Sequence, residues 1–292
     1  MIDHQSLVAR ACGAGTGSTP PWFLTVWLDW ERMKLSTLAT RLDDRLRTDA
    51  YADLDASANG LQIGPGGDAA SNADREVGTV AVAVDAAVAT AEAAADRGAD
   101  CLIAHHGLSW GGIERVTGQA YERVAALIEN DLALYVSHLP LDGHPELGNA
   151  AGLADLLELD DREPFGELGG EHIGRRGRCD PRDPEQVRTV LERLDTGGSA
   201  VDHLDFGPDE ITDVAVVTGG GADWFGEARR EGVDAFVTGE GKGKLYHEAR
   251  EAGVHVYLAG HYATETSGVR ALAELVESWG LATTFVDHPT GL

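Results

Sequence analysis

The stretch Thr79-Val-Ala-Val-Ala-Val-Asp-Ala-Ala-Val-Ala-Thr-Ala-Glu-Ala-Ala-Ala-Asp-Arg-Gly-Ala-Asp-Cys-Leu-Ile-Ala-His-His-Gly107 holds two short apolar runs separated by an alanine-rich segment. The runs at 79–84 and 99–104 read as strands, and the alanines near 86–97 read as a helix. Strand, helix and strand in this order are the repeating unit of an α/β sheet with parallel pairing. The second strand ends on chemistry, because His105 and His106 follow it directly. In α/β sheets ligands collect beyond the carboxyl ends of the strands.

The same arrangement recurs along the chain. Leu132-Ala-Leu-Tyr-Val136 is followed by His138-Leu-Pro-Leu-Asp142, and Val254-His-Val-Tyr-Leu-Ala259 by Gly260-His261-Tyr262 and Glu265. Upstream, Leu35, Leu38, Leu42 and Leu46 form one helical stripe. Downstream, strands at 213–218, 234–238, 254–259 and 281–286 alternate with helices at 223–231, 243–252 and 264–279. Asn149 is read as the cap of a helix reaching Leu159. The intervening 160–212 is less regular, with one helix near 185–194. The expected fold is α/β: two facing lobes with mixed, largely parallel sheets and a dinuclear metal site between them. Lobe one is expected over about 33–160, a short connecting region over 160–212, and lobe two over 213–292.

Composition sets the environment. The net charge is −26, from 49 acidic and 23 basic residues, and only Lys34, Lys242 and Lys244 are lysines. Such a surface repels nucleic acid and anionic membranes, and its self-repulsion strains the fold at low salt. At about 1 M salt the screening length falls to about 3 Å, and that strain largely vanishes. The acids are spread along the chain rather than gathered in a block, which favours adaptation to a salty cytoplasm over a basic partner. Cys12, Cys101 and Cys179 contain no C-x-x-C pair, so neither a disulfide framework nor a thiolate zinc site follows. Residues 1–32 are expected to be a disordered tail or a mis-assigned start, with the native chain beginning at Met33. Their apolar patch, Trp22-Phe-Leu-Thr-Val-Trp27, is far too short to span a bilayer and lacks a signal peptide's basic flank and cleavage site.

Three imidazole segments and two carboxylates suit a pair of divalent ions. Adjacent strand residues point to opposite faces, so His105 and His106 cannot serve one ion if the strand runs through them. At a strand end they can serve two neighbouring ions. His261 and Glu265, four apart at a strand-to-helix turn, share one side of a helical turn, and the glutamate can bridge through its two oxygens. Imidazole with carboxylate suits Zn, Fe(II) or Mn. Two ions about 3.5–4 Å apart would share a water and lower its pKa towards neutrality, which supplies a nucleophile for hydrolysis. A lone strand-end histidine is more often structural, and only the coincidence of the segments outweighs that reading. Two glycine-rich turns are ambiguous. Thr218-Gly-Gly-Gly221 either offers amides to a phosphate or only permits a tight turn. Gly239-Glu-Gly-Lys-Gly-Lys244, which holds two of the three lysines, either contacts an anion or is a solvated loop.

The order and wording of six motifs resemble one family. They are Ala58-Asn59-Gly60-Leu61-Gln62-Ile63-Gly64; Ala104-His-His-Gly-Leu108; His138-Leu-Pro-Leu-Asp142 with Gly148-Asn149; Val217-Thr-Gly-Gly-Gly221; Val237-Thr-Gly-Glu240 with His247; and Gly260-His-Tyr-Ala-Thr-Glu265. Over about 33–288 the chain resembles the NIF-three-like dinuclear metal-centre proteins, often labelled GTP cyclohydrolase type-two homologues. The resemblance implies a toroidal homohexamer with metal pairs facing an internal cavity. It implies His105, His106, Asp142, His261 and Glu265 as ligands, Glu265 bridging and the two adjacent histidines on different ions. His138 and His247 match family positions near the site and are the candidates for orienting a ligand or transferring a proton. The family's aromatic-acidic pair before Asn59 is replaced by Ser57-Ala58. The 160–212 stretch is too short for the domain inserted in larger members.

The implied activity is metal-dependent hydrolysis of a nucleotide-like substrate, opening of the GTP imidazole ring with formate release if the family label holds. Phosphoester cleavage is the alternative within that class. A non-catalytic metal carrier or regulatory partner, hexameric and cytoplasmic, is the alternative outside it.

Overall fold

The computed structural model describes residues 32–65 and 75–292. The expectation for residues 1–32 falls, apart from Arg32, outside the described residues. The first half runs β1 (Met33–Lys34), α1 (Leu35–Leu46), β2 (Gly60–Ile63), β3 (Glu76–Val77), β4 (Thr79–Asp85), α2 (Val88–Asp96), β5 (Cys101–His106), α3 (Gln119–Glu129), β6 (Ala133–Val136), α4 (Leu139–Asp142) and α5 (Asn149–Leu156). The second half continues with β7 (Asp160–Leu168), β8 (Glu171–Arg182), α6 (Pro184–Leu191), β9 (Asp202–Leu204), β10 (Ile211–Val216), α7 (Phe225–Glu231), β11 (Ala235–Thr238) and α8 (Leu245–Ala252). It ends with β12 (His255–Leu258), α9 (His261–Thr264), α10 (Thr266–Ser278) and β13 (Ala282–Phe285).

Two sheets follow the same plan. The first has the order β13-β4-β5-β6-β2, with β13, β4, β5 and β6 parallel and β2 antiparallel at one edge. The second has the order β7-β8-β10-β11-β12-β9, with a parallel centre of β10, β11 and β12 flanked by antiparallel strands. The apolar runs are continuous because helices cover both faces of each sheet. Along β4, Val80, Val82 and Val84 pack towards α1 and α10, while Ala81 and Ala83 pack towards α2 and α3. Along β10, Val214 and Val216 face α5 and α6, and Ala215 faces α7 and α8.

The division into lobes corrects the sequence reading in two places. The stretch 160–212 is not an irregular connector. It builds the long β7–β8 hairpin, α6 and the edge strand β9, all part of the second sheet apart from α6, which packs on it. Its charged, proline-bearing sequence hid the strands because the exposed face of an edge hairpin carries no apolar run. The strand at the C-terminus does not stay with lobe two either. β13 returns to pair with β4, and α10 packs its Val269, Leu272 and Val276 into the core of the first sheet. The chain therefore crosses back, with His261 and Glu265 on the crossing segment. That segment brings the carboxyl ends of both parallel centres to one place. Among the described residues no helix is long and apolar enough to cross a membrane.

Candidate metal centre

The five candidate ligands sit at or just beyond the ends of parallel strands. β5 continues through His105 and His106, and their ring centroids lie 4.6 Å apart. The pleat sends them to different oxygens of one carboxylate: His105 Nε2 is 3.4 Å from Glu265 Oε1, and His106 Nε2 is 3.3 Å from Glu265 Oε2. His261 Nε2 lies 3.3 Å from Oε1. This pairing follows from the break between α9 and α10, which leaves Glu265 four residues on and turned back over His261. Asp142 ends the single turn α4, in which Pro140 fits the first positions because its missing N–H is not needed there. Its Oδ1 lies 3.6 Å from His105 Nε2. Two groups of three potential ligands result, each with its ligand atoms within 4.8 Å of one another: His105 with Asp142 and Glu265, and His106 with His261 and Glu265. His138 joins His105 and His106 in a third such group.

The outer nitrogens are held by partners that define the ring orientation. His105 Nδ1 lies 2.9 Å from the Ser137 carbonyl oxygen. A carbonyl only accepts, so in the neutral ring Nδ1 carries the hydrogen and Nε2 keeps its lone pair. His106 Nδ1 is set in the same way by Asp85 at 2.9 Å, and His138 Nδ1 by Asp55 at 2.9 and 3.1 Å. This arrangement is the usual one around metal-ligating histidines.

Several of these supports escaped the sequence reading. Asp55 is buried and also accepts from the amides of Ser57 and Leu139 and from Asn59. Burial pushes its carboxyl up, but His138 and these donors outweigh that and hold it low. Asn59 Oδ1 accepts from the His138 amide at 2.7 Å, and Gln62 Oε1 from the Leu108 amide at 2.9 Å. The Asn59-Gly60-Leu61-Gln62 motif thus clamps the two loops that carry His138 and His106. Asn149 is not a helix cap. Gly148 takes that position, and the Asn149 amide instead binds Asp142 Oδ1 at 2.8 Å while its oxygen accepts from Gly268. The polar residue at each of these positions was readable, but its distant partner was not.

Other expectations sort differently. His247 lies on the exposed side of α8 and does not line the central cavity. The chain by itself therefore does not bring it to the other candidates. Lys242 and Lys244 both pair with Asp223, which leaves little net charge for an anion. In the turn after β10 the Gly219 and Gly221 amides bond to Thr264 and Thr238 hydroxyls, which favours the tight-turn reading over phosphate binding. Gly219 has φ +56°, and a Cβ there would lie 2.1 Å from Glu265 Oε1. Only glycine allows the backbone this close.

The electrostatics are those of a buried carboxylate among imidazoles. Glu265 is 3% exposed, and its Oε2 has no hydrogen-bond partner. Burial opposes its ionisation, yet His105, His261 and His106 hold its carboxyl well below the ordinary range. Burial alone would depress His105, but Asp142 and Glu265 push it up to about 10. The hydrogen bond to Glu265 is the leading cause that raises His261 to about 9. A metal ion must displace those protons, so binding is expected to tighten from pH 6 to 9 and to release about two protons per chain at pH 7.5. Titration of metal-stripped protein in weak buffer measures the release. In the stripped chain the charged rings contribute stability that is full below their ordinary value of 6.5. It is lost as pH rises through about 9 to 10.

A cavity of about 460 Å³ opens over the centre, lined by His106, His138, Asp142, His261 and Glu265 and by two indoles, Trp110 and Trp224. Trp110 stands edge-on to His138, with centroids 4.9 Å apart.

The family model Duf34/NIF3 (NGG1p interacting factor 3) matches residues 33–290. The chain belongs to the Duf34/NIF3 family. A family relative from Halobacterium salinarum, named GTP cyclohydrolase 1 type 2 homolog, is 57% identical over 262 residues, covering 89% of this chain and 100% of its own. One of the same name from Pyrococcus horikoshii is 41% identical over 261 residues, with 89% and 100% covered. The crystal structure of TTHA1606 from Thermus thermophilus matches with a TM-score of 0.77 at 37% identity, over 89% of this chain and 100% of that one.

Proposed function

We propose that the chain is a metal-dependent hydrolase whose centre holds two divalent ions on His105, His106, Asp142, His261 and Glu265. The observation that carries this reading is the pair of three-residue groups sharing Glu265, whose two oxygens face different histidines. A buried carboxylate oxygen left without a partner costs about 1–3 kcal/mol or more, and an ion held by Glu265 and His106 would remove that cost. The donors are nitrogen and oxygen without thiolate, which fits Zn, Fe or Mn in a reactive site better than a purely structural zinc. When bound, such a pair supplies Lewis acidity and a water of lowered pKa.

The chain's own residues supply the rest. Asp55 holds His138 with its Nδ1 hydrogen committed, which leaves Nε2 free to take or give a proton over the cavity. Trp110 and Trp224 offer flat apolar walls to a planar heteroaromatic substrate. A nucleotide base fits that class, and ring opening of GTP with formate release is the specific reaction carried over from the relatives' name. Phosphoester cleavage remains the runner-up, and a non-catalytic carrier the reading outside the class.

The test is turnover by metal-loaded protein at high salt, with formate and phosphate release read separately over a nucleotide panel. Asp55→Asn is expected to cut turnover by about 100-fold while keeping the metal count, since it removes the group that orients His138. A variant series that changes metal exchange but has no turnover to lose would favour the carrier.

The proposed setting is a salty cytoplasm. Lowering KCl from about 2 M to 0.1 M is expected to drop the thermal midpoint by on the order of 10 °C, as self-repulsion of the −26 charge goes unscreened. A homohexamer is the proposed assembly. It is supported by the exposed apolar side chains Ile113, Val116, Tyr121 and Ile128 gathered in one segment, and is read from the mass in solution.

A further inference from the structure

Outside that centre the described residues hold one more group of ligand-type side chains, at the opposite end of β12: His203, Asp205 and His255. β9 pairs antiparallel with β12, His203 opposite Tyr257, so the residues just past the end of β9 come to lie beside His255. The His203 ring stacks on Tyr257 at 4.3 Å, with an interplanar angle of 5°. This stacking fixes where its Nε2 points.

The hydrogen bonding here is over-subscribed. His255 is fully buried, and its Nε2 lies 2.8 Å from the Pro208 carbonyl oxygen, so Nε2 carries the hydrogen. Nδ1 then has a single in-plane lone pair, yet two groups converge on it: His203 Nε2 at 3.1 Å and the Gly207 amide at 3.3 Å. Asp205 Oδ1 stands 3.4 Å from the same nitrogen. With bonds of about 2.0–2.1 Å, two ligand atoms on a tetrahedral ion are separated by about 3.3 Å. Both separations are close to that edge length. The Pro208 contact is the kind of outer partner that fixes a ligand histidine's tautomer.

We propose that His203 Nε2, His255 Nδ1 and Asp205 form a peripheral site for a divalent transition-metal ion, distinct from the dinuclear centre. Two imidazoles and one carboxylate suit zinc, with solvent at the fourth position because Asp205 is exposed. On binding, the neutral His203 ring changes tautomer: its hydrogen leaves Nε2 and Nδ1 gains one through solvent, so that Nε2 presents its lone pair. The ion would pin the edge strand β9 and its following loop to β12. His255 opens β12 and His261 lies beyond the strand's far end at Leu258, so about 10 Å of strand alone stands between them. The two sites are therefore separate.

The experiment counts zinc per chain after gel filtration of zinc-loaded full-length protein at pH 7.5. It compares wild type with His203→Gln and with the solvent-exposed Asp205→Ala. The expected result is one ion fewer in each variant, with the ions at Glu265 retained and the zinc-induced rise in thermal midpoint reduced. Equal counts in wild type and in either folded variant would overturn the proposal. If His203→Gln fails to fold, the exposed Asp205→Ala decides alone. Because the readout is a difference, it is independent of whether the Glu265 centre proves dinuclear.

Discussion

Glu265→Ala is expected to lose two ions relative to wild type while the chain stays folded. The carboxylate is the one ligand common to both three-residue groups, so its removal leaves each ion with two of its three protein donors there. Loss of an outer partner alone typically weakens a metal site by about 10–100-fold, and loss of a shared ligand should exceed that. The fold should survive for an electrostatic reason. Breaking a buried ion pair costs about 3–5 kcal/mol when the remaining charge is trapped, but His105 and His261 are not trapped. With Glu265 gone, His105 still faces Asp142 and His261 still faces Glu240, and each ring can also release its proton, so no unpaired charge is locked in. Elemental analysis with a parallel melting curve separates the two effects. Metal retained at wild-type level in the variant would show that Glu265 is not the shared ligand.

Gly219→Ala is expected to be nearly as damaging, although glycine donates nothing to a metal. Its φ of +56° is left-handed, which costs an L-residue about 1–2 kcal/mol. The steric conflict is larger: a Cβ would lie 2.1 Å from Glu265 Oε1 and 3.0 Å from His261 Nε2. Either the carboxylate rotates away or the turn after β10 shifts, and both spoil the convergence of the two sheets. Metal affinity should fall by about 100-fold, a size comparable to loss of a supporting partner. Gly220→Ala is the control, because its Cβ would meet Glu240 at an ordinary 3.4 Å. Equal affinity in the two variants would mean that the close approach at Gly219 does not matter.

Most of the fold could be read from the sequence because parallel strands covered on both faces leave long apolar runs, as at 79–84, 101–104 and 254–259. The five proposed ligands follow those runs, and the structure brings all five together. What could not be read depends on long-range pairing. β7 is an edge strand and β8 its inner neighbour, both rich in charged residues, and nothing local announces a hairpin of that length. The return of β13 to β4 joins residues about 200 apart, a pairing that periodicity cannot reveal. Asp55, Asp85 and Asn149 are ordinary polar residues in isolation, and they gain their roles from contacts with His138, His106 and Asp142. His247 had a place in a motif but no geometry, and in the chain it faces outward.

In the proposed centre one carboxylate joins two ions where the sheets converge. Anomalous diffraction from crystals of manganese- or zinc-loaded protein tests it most directly. The expected result is two peaks about 3.5–4 Å apart, both at Glu265, one held with His105 and Asp142 and the other with His106 and His261. A single peak bound by all the histidines, or none at Glu265, would contradict it.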